Sequence, residues 1–188
     1  MKFTLKDYIL MAMMASLGIA VKVIVVPVAH MITGPLFIPG GVVAGGIYMA
    51  FIILTNAIIK KRGTCTMVAL IQGIVVTISG TLGSHGAASI FTYALPGIAF
   101  DLMLILFRVK DYSGMLCCFV GGIVANMTGS FAVNLAIFKL SFIPLMLSLI
   151  ASALSGGLGG ILAYYIANSI NHILEEKDNG TFVDIPKG

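Results

Sequence analysis

Charge is scarce in this sequence: Asp, Glu, Lys and Arg together make up 10% of 188 residues. A soluble domain of that length needs a polar coat, and these residues cannot supply one. Chemical signatures are scarce too. There is no HExxH, no CxxC and no Walker A segment. Zinc hydrolysis, dithiol chemistry and ATP hydrolysis by this chain alone are therefore not expected. A Ser/His membrane protease is not expected either. Ser79 and Ser155 sit within apolar stretches, whereas His172 falls at the edge of one. The expectation is a non-enzyme without cofactor. The three cysteines, Cys65, Cys117 and Cys118, lack metal-ligand spacing and read as small packing residues. No internal repeat stands out, so the inverted-repeat plan of many secondary transporters is not supported.

What is abundant is apolar: the residues AVILMFWYC account for 59% of the chain, and the mean hydropathy is +1.09. In lipid the backbone must satisfy its own hydrogen bonds, which leaves helices or a closed barrel. The apolar runs are long and continuous rather than alternating in blocks of about ten. The pattern predicts an all-α membrane protein, a compact bundle of six transmembrane helices. A hydrocarbon core about 30 Å thick takes roughly 20 helical residues. Spans are predicted at about 8–29, 40–59, 66–82, 88–107, 115–138 and 144–170. They form one domain over 1–170, followed by a polar cytoplasmic tail over 171–188. The breaks fall at Gly, Pro or charge, for example at Thr33-Gly34-Pro35 and Lys60-Lys61-Arg62-Gly63.

Basic residues set the orientation. With both termini in the cytoplasm, Lys2, Lys6, Lys60, Lys61, Arg62, Arg108, Lys110, Lys177 and Lys187 all lie inside. Lys139 then flanks an outer loop and Lys22 lies within the first span. The basic residues are scattered, so no nucleic-acid surface is read. The first apolar stretch is too long for a secretory h-region and is read as a retained helix.

The rare polar residues fall into sets. On helix 1, Ala12, Ser16 and Ala20 are spaced by four and form a small-residue stripe. It serves either packing within the bundle or the face of another protein. On helix 5, Cys118, Gly122, Asn126, Ser130 and Asn134 share one face. Asn126 and Asn134 are either interhelical glue or the lining of a polar cavity. Lys22 either snorkels to the outer headgroups or faces that cavity. Asp101 is read as hydrogen-bonded inside the bundle or facing a partner. The outer loops carry Thr33, Phe37, Ser84 and His85 and no carboxylate. With Tyr93, Asn126, Asn134 and Lys139 they make an acid-free outer half. A ligand bound there is expected to be neutral or anionic rather than a strong cation.

Six spans in under 200 residues, the stripe on helix 1 and the polar outer half resemble the S components of energy-coupling factor (ECF) transporters. The order Gly34-Pro35, Lys60 to Gly63, Gly80 to Gly86, Gly97 to Asp101 and Arg108 to Tyr112 is similar to the YkoE-type, thiamin-related branch of that family. The resemblance implies a subunit of a prokaryotic plasma membrane that captures a vitamin or vitamin-precursor-like small molecule. It implies docking through Ala12, Ser16 and Ala20 on a T subunit, with two ATPase subunits supplying energy. It implies a ligand capped by Thr33, Phe37, Ser84 and His85 above Tyr93, Asn126, Asn134 and Lys139. The metal-binding members carry an N-terminal Met-His; this chain begins Met1-Lys2-Phe3, so no metal site is expected. His30 and His85 would act as axial ligands only if the ligand were haem or another tetrapyrrole. The alternative is a stand-alone small membrane carrier or scaffold.

Overall fold

A computed structural model describes residues 2–36, 38–80, 86 and 88–178. It contains α1 (Leu5–Thr33), α2 (Gly40–Ile59), α3 (Thr64–Ser79), α4 (Ala88–Leu106), α5 (Met115–Val133) and α6 (Phe142–Asp178). Consecutive helices run antiparallel. Near neighbours across α5 and α6 run in opposite order, with Asn126 on Ser152 and Gly122 beside Gly156 and Gly160. Helix α2 is the hub and packs on α1, α3, α5 and α6.

Five of these helices are long and apolar enough to cross a membrane; α3 is shorter, at 16 residues. At 1.5 Å per residue it spans about 24 Å. Its expected span to residue 82 stops at Ser79, because Gly80 turns left-handed at φ 58° and its N–H closes on the Val76 carbonyl at 3.1 Å. The outward faces are apolar: Ile24, Ile78, Phe91, Leu116 and Leu154 are all well exposed. Water would not tolerate that coat, and lipid does. The chain is a membrane protein.

Two other helix ends differ from the sequence reading. Helix α5 passes into a π-helical turn over Asn134–Phe138, closed by Lys139 in the left-handed region at φ 46°. Helix α6 continues through Asp178, beyond the span end expected at residue 170. Residues 171–178 carry helix formers in Ile173, Leu174, Glu175, Glu176 and Lys177, so nothing local breaks the helix there.

Side-chain hydrogen bonds fix the end that carries the N-terminus. Thr4 and Asp7 form a capping box: Thr4 N–H donates to Asp7 Oδ2 at 2.6 Å, and Asp7 N–H to Thr4 Oγ1 at 3.4 Å. The same Asp7 oxygen accepts from Lys61 Nζ at 2.5 Å, tying α1 to the α2–α3 turn. Asp101 reaches from α4 to the start of α3. It accepts from Gly63 N at 3.2 Å, Thr66 N at 2.7 Å and Thr66 Oγ1 at 2.6 Å. A carboxylate at a helix N-terminus satisfies orphan N–H groups and the helix dipole together. Asp101→Leu leaves these half-buried donors unmet and is expected to cost on the order of 3 kcal/mol. Thermal unfolding in detergent measures it, with Asp101→Asn expected to lose less.

The apolar core is concentrated at this same end. Met11, Ile52, Ile53, Val68, Phe100 and Leu104 are fully buried against Cys65, Cys118, Ala163 and Ala167. All three cysteines are free and buried. The opposite end, where α1 meets α2 and α5 meets α6, is hollow.

Candidate functional site

The hollow is a cavity of about 310 Å³ between α1, α2, α5, the turn after α5 and the start of α6. Helix α1 contributes Lys22, Val26 and His30, which at spacing four share one face. Helix α2 contributes Gly41, Val42 and Tyr48. Helix α5 contributes Gly129, Ser130, Val133 and Asn134; Phe138, Leu140 and Ser148 close the far side. The glycines leave room: a Cβ at Gly41 meets only the Tyr48 hydroxyl, at 3.8 Å.

Lys22 faces the cavity and not lipid. Its ammonium donates to the Tyr93 hydroxyl. It also lies over two rings, 4.0 Å from the Tyr93 centroid and 5.3 Å from that of Tyr48. Such ring faces stabilise a cation out of water. Tyr48 donates its own hydroxyl proton to the Gly41 carbonyl at 2.9 Å. Among the described residues no carboxylate lines the cavity.

The opposite wall is held by the π-helical turn. Asn134 Oδ1 accepts from Leu140 N at 2.8 Å, which stitches the turn to the following connection. Its Nδ2 is buried without a partner among the described residues, and so is Ser148 Oγ. Both residues line the cavity. Widened helical turns of this kind recur at functional sites because they re-aim side chains.

The sequence-predicted residues are distributed as follows. Asn134 lines the cavity. Tyr93 stands behind it, seating Lys22. Asn126 does not line it: its Nδ2 donates to Val42 O at 3.1 Å and Ser152 O at 2.8 Å, joining α5 to α2 and α6. Of the two sequence alternatives for Asn126, the structure has the interhelical one. Thr33 does not line the cavity either; its hydroxyl lies 3.0 Å from Ala29 O and 2.9 Å from Ile38 O. It braces the α1–α2 connection. Lys139 is exposed and borders a smaller adjoining hollow that shares Asn134 and Leu140. Phe37, Ser84 and His85 lie outside the described residues. His30 Nδ1 accepts from Gly40 N at 3.3 Å, capping the start of α2.

Sequence reasoning missed Tyr48 and Ser148 as lining residues, whereas Ser130 stood on the polar face of helix 5. Tyr48 follows Gly41 by seven positions, on the same face of α2, and that spacing was the available signal. Ser148 had none beyond being a hydroxyl four residues before Ser152 on an otherwise apolar stretch.

The small-residue stripe on α1 points away from the bundle. Ala12, Ser16 and Ala20 are exposed, while Met11, Ala15 and Gly18 are buried against α2 and α3. Ser16 Oγ donates to its own helix, at Ala12 O, 2.9 Å.

The chain belongs to the family of ABC-type cobalt transport system permease components, whose profile matches residues 6–128. In fold it is similar to the protein of "Crystal structure of an S-component of ECF transporter". The two share a TM-score of 0.75 at 17% identity, over 92% of this chain and 87% of that one. Among curated proteins none matches the sequence.

Proposed function

We propose that this membrane protein is the substrate-capture S component of an ECF-type importer, binding a vitamin or vitamin-precursor-like molecule in the Lys22 cavity. The observation that carries it is the asymmetry of the bundle: packed solid at one end, hollowed to about 310 Å³ at the other. That volume is at the lower end of small-molecule sites, about 300–1,000 Å³. The cavity end faces outward and both termini are cytoplasmic, in a prokaryotic plasma membrane. The outward face of Ala12, Ser16 and Ala20 docks on a T subunit, and two ATPase subunits drive release inward.

The family's description names cobalt, but the described residues do not favour a bare metal ion as cargo. They hold no group of three His, Cys, Asp or Glu, and the cavity offers one imidazole beside an ammonium. The order of loops and charges favours the YkoE-type, thiamin-related branch. Thiamin itself is a cation and suits Lys22 poorly. A tetrapyrrole would need His30 Nε2, since Nδ1 accepts from Gly40 N, together with His85, which lies outside the described residues.

The test is co-expression with a T subunit and its ATPases, followed by affinity purification on this chain and native mass spectrometry. Capture predicts a stable four-protein assembly and a carried-over small molecule. A chain that leaves the T subunit and the ATPases behind and moves solute by itself down a gradient is a stand-alone carrier instead.

A further inference from the structure

We infer that the packed end of the bundle binds an anionic phospholipid, its phosphate held by Lys60, Arg62, Arg108 and Lys110 on two adjoining connections. This surface lies at the opposite end of the molecule from the cavity and adds a partner that the capture reading does not assign.

Backbone conformation singles out two of these residues. Among the described residues, those other than glycine with a positive φ are Lys60 at 54°, Arg108 at 49° and Lys139 at 46°. Each closes a helical segment: Lys60 N–H bonds to Asn56 O at 2.8 Å, Arg108 N–H to Ile105 O at 3.2 Å and Lys139 N–H to Asn134 O at 2.8 Å. Glycine takes such a left-handed cap freely, whereas a side chain strains it. All three positions carry a cation instead. A cation gains from the dipole at a helix C-terminus. That gain is equally open to a residue in the last helical turn, without the strain. The dipole alone therefore leaves the basic caps unexplained.

The fold brings the cations together. Antiparallel helices put the α2–α3 and α4–α5 connections at one end, and Arg62 Nε donates to the Tyr112 hydroxyl at 3.2 Å across them. Lys60, Arg62, Arg108 and Lys110 are all exposed there. Lys61 is taken by Asp7. The one carboxylate on the two connections, Asp111, accepts from the N–H and the hydroxyl of its neighbour Ser113.

Apolar side chains border the cations. Phe107 directly precedes Arg108, and Leu106 and Leu116 flank the same connection; all three are well exposed. Cations beside apolar side chains at a helix end belong at the boundary between hydrocarbon and headgroups. A soluble anion would use the cations alone. A phospholipid uses both, its phosphate on the cations and its acyl chains along Phe107 and Leu116.

The test places the purified full chain in nanodiscs of phosphatidylcholine, with and without phosphatidylglycerol, and reads thermal unfolding and the lipid retained in native mass spectrometry. Each basic residue near an anionic surface is worth roughly fivefold in affinity. Retained phosphatidylglycerol should therefore be enriched over phosphatidylcholine by at least about tenfold. It should also raise the melting temperature, and salt should shrink that rise. Lys60→Gly with Arg108→Gly should melt in phosphatidylcholine no lower than wild type, because glycine relieves both caps, and should lose most of the enrichment. Lys110→Gln, which alters no cap, should lose part of it. Lys2→Gln with Lys6→Gln removes as much charge from the same end, outside this surface, and should keep it. A wild-type chain without enrichment overturns the inference, and so does enrichment that survives the glycine pair. Equal loss in the Lys2 and Lys6 pair means a diffuse positive field and no site. A glycine pair that melts well below wild type means that the cations serve the helix ends only. Inorganic phosphate that gives the same rise in phosphatidylcholine discs means a free anion in place of a lipid. A glycine pair that keeps its lipid but loses a T subunit means a protein partner in its place.

Discussion

Leucine at both Ala12 and Ser16 is expected to abolish the co-purification with a T subunit that the proposed capture role requires, and to leave thermal unfolding of the chain within a few degrees of wild type. The two side chains are exposed on the outward face of α1. Small residues there let a second helix approach backbone to backbone. Leucine would hold that helix off. A central contact of this kind is worth about 2 kcal/mol or more, roughly thirtyfold in affinity. The fold should not notice. Ser16 Oγ bonds only to Ala12 O within its own helix, and lipid accepts leucine readily. The ligand should not notice either, because the α1 residues that line the cavity begin at Lys22 and face inward. The double variant is followed by size-exclusion chromatography with a T subunit and by thermal unfolding in detergent. Undiminished co-elution with the T subunit means that α1 is not the docking face. A markedly lowered melting temperature means that the outward face of α1 is packed more tightly than its exposure suggests.

The helical architecture was legible because lipid permits so little else. Continuous apolar runs cut by Gly, Pro and Lys give helix positions almost directly. The helix ends that differ from the expected spans are those where hydropathy is silent. Leu82 is apolar enough to extend α3, but the left-handed Gly80 stops it first. The π-helical turn at Asn134 is a hydrogen-bond choice that no composition records.

The site was half legible, for a different reason. A period of four puts Asn126 and Asn134 on one face, but not at one depth of neighbours. Asn126 meets α2 and α6 where they are closest and spends its amide on two carbonyls. Asn134, two turns on, reaches the level where the helices part, and one nitrogen remains over. Lys22 was equally ambiguous from sequence. Its direction is decided by Tyr93, which is 71 positions away in the chain.

Valine at Gly159 is expected to be the most damaging single change in the bundle. A Cβ at Gly159 would overlap the backbone of Gly46, and one at Gly46 would overlap the Ser155 carbonyl. Backbone cannot step aside as a side-chain tip does, so α2 and α6 must separate. Separation then breaks the polar links at the same crossing. Gly46 N–H donates to Ser155 Oγ at 2.9 Å, and that hydroxyl donates to Val43 O at 2.5 Å. It also strains Asn126, which bonds to both helices one turn away. Overpacking alone costs about 1–3 kcal/mol. With the polar links added, the loss is expected to exceed about 4 kcal/mol and to leave little monodisperse protein. Gly41→Ala is the matched control on α2, since its Cβ finds nothing nearer than 3.8 Å. It should unfold within a few degrees of wild type. The damage also reaches the ligand: α2 carries Val42 and Tyr48, and α6 carries Ser148, on facing walls of the cavity. Fluorescence-detected size exclusion and thermal unfolding compare the two variants. A Gly159→Val chain that elutes and melts like wild type would mean that the α2–α6 crossing is looser than its glycines imply.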